Sequence, residues 1–82
     1  MGKHFVYILQ SHSDQHQYYV GLCEKVEDRL TAHNSGQSPH TSKFKPWSVV
    51  FSCWFDNPAK AVVFERYLKS GSGRAFAARH IR

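Results

Sequence analysis

Two short apolar runs separated by a polar stretch constrain the fold of this chain most. The runs cover residues 5–9 and 18–22, and both are rich in the β-branched and aromatic residues that strands favour. Residues 11–17 between them are polar and are expected to form a hairpin loop. The chain is therefore predicted to begin with two neighbouring strands.

The next two segments follow a helical and then a strand pattern. Residues 24–35 are expected to form a helix, because Val26, Leu30 and His33 recur at helical spacing on one face. Residues 37–46 are basic and polar and are expected to form a loop. Residues 48–55 alternate, which predicts a third strand with one buried face. That face would carry Val49, Phe51, Cys53 and Phe55.

The last part of the chain is predicted to be helical. Asn57 and Pro58 are typical of the first positions of a helix, Gly71 is expected to end it, and a short closing helix is predicted over residues 74–81. The order ββαβαα indicates an α+β fold, in which helices pack on a small three-stranded antiparallel sheet. A chain of 82 residues is expected to be a single domain spanning residues 1–82.

Composition limits the classes of function. Eleven Lys and Arg against six Asp and Glu give a net charge of +5, which suits a polyanionic partner. No apolar run approaches the length of a membrane span, so no membrane association is expected. The two cysteines do not form a CxxC pair, and lone thiols without an export signal fit a cytoplasmic protein.

Glu65 lies on the apolar face of the predicted helix, beside Ala61, Phe64 and Leu68. A carboxylate in such surroundings is costly unless it is paired or bound to a cation. A helical ion pair with Lys69 at i+4 explains it in one way, and a metal site explains it in another. The residues alone leave both explanations open.

Arg29 and His33 are also four residues apart and share one side of a helix. On the residues alone, they fit an exposed arginine and a histidine that interacts with the helix C-terminus. Tyr18 and Tyr19 are adjacent in a predicted strand and must face opposite ways, so only one of them can serve a given site.

The order and spacing of these groups resemble the GIY-YIG nuclease superfamily. Phe5-Val6-Tyr7 stands where that family has Gly-x-Tyr, and Tyr19-Val20-Gly21 matches its Tyr-x-Gly. Small stand-alone bacterial members share three further motifs. These are Arg-Leu-x-x-His-Asn-x-Gly (here residues 29–36), Pro-Trp (46–47) and Glu-x-x-Leu-Lys (65–69).

The resemblance implies a metal-dependent endonuclease that hydrolyses DNA phosphodiester bonds. Arg29 would contact the scissile phosphate, and Tyr7 would position the water or the phosphate. Glu65 would hold one divalent cation, Mg²⁺ or Mn²⁺, because these ions favour oxygen ligands. Either Tyr19 or His33 would be the general base, and the well-matched second motif favours Tyr19.

Further residues would support the site or contact the nucleic acid. Gly21 and Asn34 are expected to support it, and the phosphate backbone would follow Lys43, Lys45, Lys69 and Arg74. Two positions depart from the family pattern: Phe5 replaces a glycine, and Leu22 stands where several relatives have lysine. These departures favour the alternative, which is a catalytically weak or inactive nucleic-acid-binding module of the same fold.

Overall fold

The computed structural model describes residues 2–82 and has an α+β architecture. The strands are β1 (Phe5–Ser11), β2 (Tyr18–Cys23) and β3 (Trp47–Trp54). The helices are α1 (Val26–Asn34), α2 (Pro39–Ser42), α3 (Pro58–Lys69) and α4 (Gly71–His80). The three strands form one antiparallel sheet in the order β2-β1-β3, which places β1 in the centre. The α+β fold predicted from the sequence is confirmed.

The central strand separates two layers of core, because successive side chains on a strand point to opposite faces. Val6 and Ile8 pack with Ala61 and Leu68 of α3, together with residues of α4. Tyr7 and Leu9 form the opposite layer, against which α1 packs. The sheet is therefore covered by α3 and α4 on one face and by α1 on the other.

The residues of helix α1 that pack against the sheet are the ones predicted from its sequence. Val26 and Leu30 pack against the layer of Tyr7 and Leu9, and His33 is completely buried. The shared face predicted for these three residues is confirmed, and α1 is slightly shorter than the predicted range of 24–35.

The third strand departs from simple alternation. Ile8 pairs with Phe51 but Leu9 pairs with Val49, so Val50 is an extra residue in a β-bulge. As a result, Val50 packs in the same layer as Phe51 and Cys53, and Val49 is 37% exposed. The prediction that Val49 shares a buried face with Phe51 is therefore wrong, because one inserted residue reverses the alternation.

The helical segments differ from the predictions in three places. Gly71 was predicted to end α3, but α3 ends at Lys69 and Gly71 is the first residue of α4. Residues 37–46 are not only loop, because they contain the short helix α2. The closing helix begins at Gly71 rather than residue 74, because the Ser70 side chain accepts a hydrogen bond from the Gly73 amide at 3.2 Å. Asn57 caps α3 as predicted, accepting from the Ala59 amide at 2.8 Å. Among residues 2–82, none of the helices combines the length and apolar character needed to cross a bilayer.

Candidate active site

A cleft of about 660 Å³ lies beside β2, between the start of α1 and α3. Four side chains predicted to be catalytic line it: Tyr7, Tyr19, Arg29 and Glu65. They come from four elements, β1, β2, α1 and α3. Because α1 and α3 cover opposite faces of the sheet, Arg29 and Glu65 reach the same cleft around the sheet edge that β2 forms.

Tyr7 and Gly21 are direct partners across β1 and β2. The Tyr7 ring lies against the Gly21 backbone so closely that a Cβ at Gly21 would be 2.3 Å from the Tyr7 Cζ and Oη. No side chain fits there without moving the ring. Gly21 therefore allows the Tyr7 hydroxyl to occupy its position in the cleft.

His33 lies behind Tyr7, outside the cleft lining, and is 0% exposed. Its Nε2 is 3.1 Å from the Tyr7 Oη, and its Nδ1 is 2.8 Å from the Oγ1 of Thr41, which is also buried. The Thr41 hydroxyl donates to the Ser38 carbonyl at 3.5 Å. From that donation we assign Nδ1–H of His33 as the donor to Thr41 Oγ1, which makes Nε2 the acceptor from Tyr7 O–H.

The electrostatics of this chain of hydrogen bonds favour neutral groups. Burial raises the pKa of Tyr7 to about 12, and the guanidinium of Arg29 offsets part of the rise. Burial, followed by the positive charge of Arg29, lowers the pKa of His33. Tyr7 is therefore a phenol and His33 a neutral imidazole near pH 7.

The Tyr19 side chain lies on the same face of the sheet as Tyr7 and packs beside His33. Its ring centroid is 4.7 Å from that of His33 and 6.2 Å from that of Tyr7. Tyr18 packs in the opposite layer, with the Arg82 guanidinium 4.0 Å from its ring centroid. The two adjacent tyrosines face opposite ways, as the strand pattern predicts.

Glu65 makes the ion pair that its spacing suggests, with its Oε2 2.6 Å from the Lys69 Nζ. The Glu65 side chain is 14% exposed and that of Lys69 is 52% exposed. Because Glu65 is largely buried, loss of its partner would cost more than the roughly 0.3–0.5 kcal/mol of a fully exposed i,i+4 pair, unless another cation takes the place of Lys69.

The donor set in the cleft fits a hard divalent cation that keeps most of its water. Within the described residues 2–82, no three His, Cys, Asp or Glu side chains cluster as a metal cage would require. Mg²⁺ is commonly held by one or two carboxylates and several waters. Glu65, which faces the cleft from a half-buried position, is the residue that would hold such an ion.

Asn34 joins α1 to β3. Its Nδ2 donates to the Trp47 carbonyl at 3.0 Å, and its Oδ1 accepts from the Trp47 amide at 2.6 Å. The Asn34 side chain thereby hydrogen-bonds both the amide and the carbonyl of Trp47. This contact anchors the end of α1, one residue after His33.

The two residues that depart from the family motifs, Phe5 and Leu22, lie in different environments. Phe5 packs beside Val26 in the layer under α1, so it belongs to the core rather than to the cleft. Leu22 lines the cleft and brings no charge, but Lys3 and Lys25 also line it. These two lysines are not among the basic residues predicted from the sequence. The pairing of Phe5 with Cys23 places Lys3 beside the end of β2, and no pattern within a single segment of the sequence indicates that pairing.

The basic residues expected to contact nucleic acid do not all lie together. Lys43, Lys69 and Arg74 line a second groove that also contains Tyr19. Lys45 is outside that groove, and its ammonium lies near Gly36. The structure thus separates Lys45 from the other three.

The fold and the cleft define a small α+β domain in which phenol, guanidinium and carboxylate groups line one cleft, a set of groups that can bind a phosphate and a divalent cation. The family model of the GIY-YIG catalytic domain matches residues 3–77. This match covers most of the 82 residues, so the chain belongs to the GIY-YIG family of nuclease domains. No curated protein and no solved structure gives a significant match to the chain.

Proposed function

We propose that this protein is an endonuclease that hydrolyses DNA phosphodiester bonds with one divalent cation, Mg²⁺ or Mn²⁺. The observation that carries the proposal is the convergence of Tyr7, Tyr19, Arg29 and Glu65 on one cleft from four separate elements. The net charge of +5 supports a polyanionic substrate.

Arg29 is proposed to bind the scissile phosphate. Its side chain is exposed in the cleft, and a planar guanidinium can donate two parallel hydrogen bonds to phosphate oxygens. The same contact would stabilise the negative charge that develops on those oxygens in the transition state. Lys3 and Lys25 add positive charge to the same cleft.

Tyr7 and His33 are proposed to remove the proton of the attacking water together. The water proton passes to Tyr7 Oη while the Tyr7 proton passes to His33 Nε2, over the 3.1 Å hydrogen bond. This transfer avoids a free phenolate, which a pKa of about 12 makes scarce. Thr41 would hold Nδ1 of the resulting imidazolium.

Tyr19, which the sequence motif favours as the base, is assigned a different role in this proposal. It lines the cleft beside Tyr7, so its hydroxyl is available to orient the water or a phosphate oxygen. Direct proton removal by Tyr19 is the competing mechanism, and single-hydroxyl deletions distinguish the two.

Glu65 is proposed to hold the cation, with Lys69 turning out to solvent when the ion binds. A bound Mg²⁺ or Mn²⁺ supplies a Lewis acid for the phosphate and lowers the pKa of a coordinated water. The carboxylate needs no rearrangement to face the cleft, because it already lines it.

A nucleic-acid-binding module without catalysis is the second candidate. The observation that favours it is the 2.6 Å contact between Glu65 and Lys69, because a carboxylate that stays paired cannot bind a cation. Metal binding by Glu65 separates the two candidates.

The experiment compares the wild-type protein with Glu65→Gln on linear, supercoiled, branched and single-stranded DNA, with Mg²⁺ or Mn²⁺ and with EDTA. We expect cleavage by the wild type in metal only and none by Glu65→Gln. Mn²⁺ should also raise the Tm of the wild type but not of Glu65→Gln, because an ion bound to the native state stabilises it. If every substrate survives and the Tm does not respond to metal, the nuclease proposal fails and the binding module takes its place.

A further inference from the structure

A second groove, of about 800 Å³, adjoins the catalytic cleft. Four cationic side chains line it: Lys43, Lys69, Arg74 and Arg82. All four are exposed to solvent. Among the described residues 2–82, no Asp or Glu is part of this lining, whereas the cleft contains Glu24, Asp28 and Glu65. We call it the basic groove, and its charge suits a nucleic-acid backbone.

Aromatic side chains stand among these charges. Tyr18, Tyr19 and Phe44 line the basic groove and are half-buried, so each ring is held in place but reaches solvent. The Lys43 ammonium lies 5.4 Å from the Phe44 ring centroid, and the Arg82 guanidinium lies 4.0 Å from that of Tyr18. Positive charge interleaved with aromatic rings is typical of grooves that bind single strands, because unpaired bases stack on the rings.

The basic groove and the cleft are connected by shared residues. Tyr19 lines both. Lys69 lines the basic groove, and its ammonium pairs with Glu65, which lines the cleft. A strand whose phosphate sits beside Arg29 and Glu65 can therefore continue into the basic groove without leaving the protein surface.

We infer that the basic groove holds an unpaired DNA strand that continues from the scissile phosphate. In a duplex the bases stack on one another and leave mainly phosphates and base edges to contact, so only unpaired bases can stack on the rings of Tyr19 and Phe44. The Tyr18 ring already carries the Arg82 guanidinium. The inference rests on the proposed nuclease function, which fixes where the scissile phosphate lies. It names the substrate class as DNA with a single-stranded segment beside the cleavage site.

The test measures binding of a fluorescent single-stranded DNA, the matching blunt duplex and the matching single-stranded RNA, all in EDTA. The single-stranded DNA should bind more tightly than the duplex. Its log–log salt dependence should have a slope of about −3, from four phosphate contacts at about 0.7 each. Lys43→Gln and Arg74→Gln should each reduce that slope by about 0.7 and weaken binding about 5- to 10-fold at 50 mM salt.

Two matched controls remove the same charges outside both grooves. Lys60→Gln changes an exposed lysine of α3, and Arg79→Gln changes an exposed arginine on the same helix as Arg74. Both should leave the slope within about 0.2 of wild type. The inference is overturned if the duplex binds as tightly as the single strand, if RNA binds more tightly than DNA, or if Lys43→Gln and Arg74→Gln match the controls.

This test is independent of cleavage. If single-stranded DNA binds in a way that depends on Lys43 and Arg74 but is not cleaved in Mg²⁺, the nuclease proposal is refuted. The basic groove then remains a binding site for single-stranded DNA. If DNA is cleaved in Mg²⁺ but Lys43 and Arg74 contribute nothing to the binding of single-stranded DNA, the nuclease proposal stands. The proposal that the basic groove holds the strand is then refuted.

Discussion

Replacing Gly21 with alanine tests the contact on which the position of Tyr7 depends. The new Cβ would lie 2.3 Å from Tyr7 Cζ and Oη, and ordinary contact begins at 3.4 Å. The ring would have to retreat by about 1 Å inside a close-packed layer. Because Tyr7 is only 1% exposed, it has little room to do so. We therefore expect Gly21→Ala to lower both stability and activity.

Two effects determine how much Gly21→Ala should lower the free energy of unfolding. Overpacking of a core contact costs about 1–3 kcal/mol, and a displaced Tyr7 hydroxyl loses its hydrogen bond to His33, worth about 0.5–1.5 kcal/mol. The free energy of unfolding should fall by about 2–4 kcal/mol. In a domain of this size the Tm should then fall by at least roughly 8 °C. Urea and thermal unfolding followed by circular dichroism measure both quantities.

Two controls identify the cause. Gly71→Ala introduces the same methyl group at the start of α4, where it meets nothing within 4 Å, so stability should change by no more than about 1 kcal/mol, in the stabilising direction. In a Tyr7→Leu background the crowding atoms are absent, and Gly21→Ala should cost less than about 0.5 kcal/mol. An equal cost of Gly21→Ala in the wild-type and Tyr7→Leu backgrounds would refute the steric argument.

Three further predictions concern the chemistry. Arg29→Lys should reduce kcat nearly as much as Arg29→Ala, with a smaller loss of DNA binding, because a point charge cannot replace a bidentate contact; equal losses of binding and turnover would contradict this. Tyr7→Phe should reduce kcat by about 100-fold or more, and Tyr19→Phe by less; the reverse order in single-turnover cleavage would make Tyr19 the base. His33 has a pKa below its unfolded value of 6.5, so its contribution to stability is complete above pH 6.5 and is lost as the pH falls below it. The free energy of unfolding should decline less below pH 6.5 in His33→Gln than in the wild type, as pH-dependent urea titrations would show.

The sequence predicted those parts of the site that local pattern and motif spacing determine. The opposite directions of Tyr18 and Tyr19 follow from the strand period, and the face that His33 shares with Val26 and Leu30 follows from helical spacing. The complete burial of His33 was not predicted, because the residues alone suggested a contact with the helix C-terminus. The pairing of Glu65 with Lys69 follows from helical spacing. In each case the predicted property, a direction or a spacing, is set within one element, so periodicity was sufficient.

The parts that sequence could not predict depend on how separate elements meet. The bulge at Val50 exists only in the register between β1 and β3, which alternation within one strand does not encode. Thr41 lies in a segment without apolar periodicity, and its contact with His33 arises because α2 docks against α1. Lys3 enters the cleft only because Phe5 pairs with Cys23.

The position of the cleft at the free edge of β2 limits how this domain can assemble with others. An additional strand paired to β2, whether from a second copy or from a fused domain, would cover the edge around which Arg29 and Glu65 line the cleft. The other free edge is β3, which lines the cleft with none of its residues. Sheet extension that leaves the cleft open must therefore use the β3 edge.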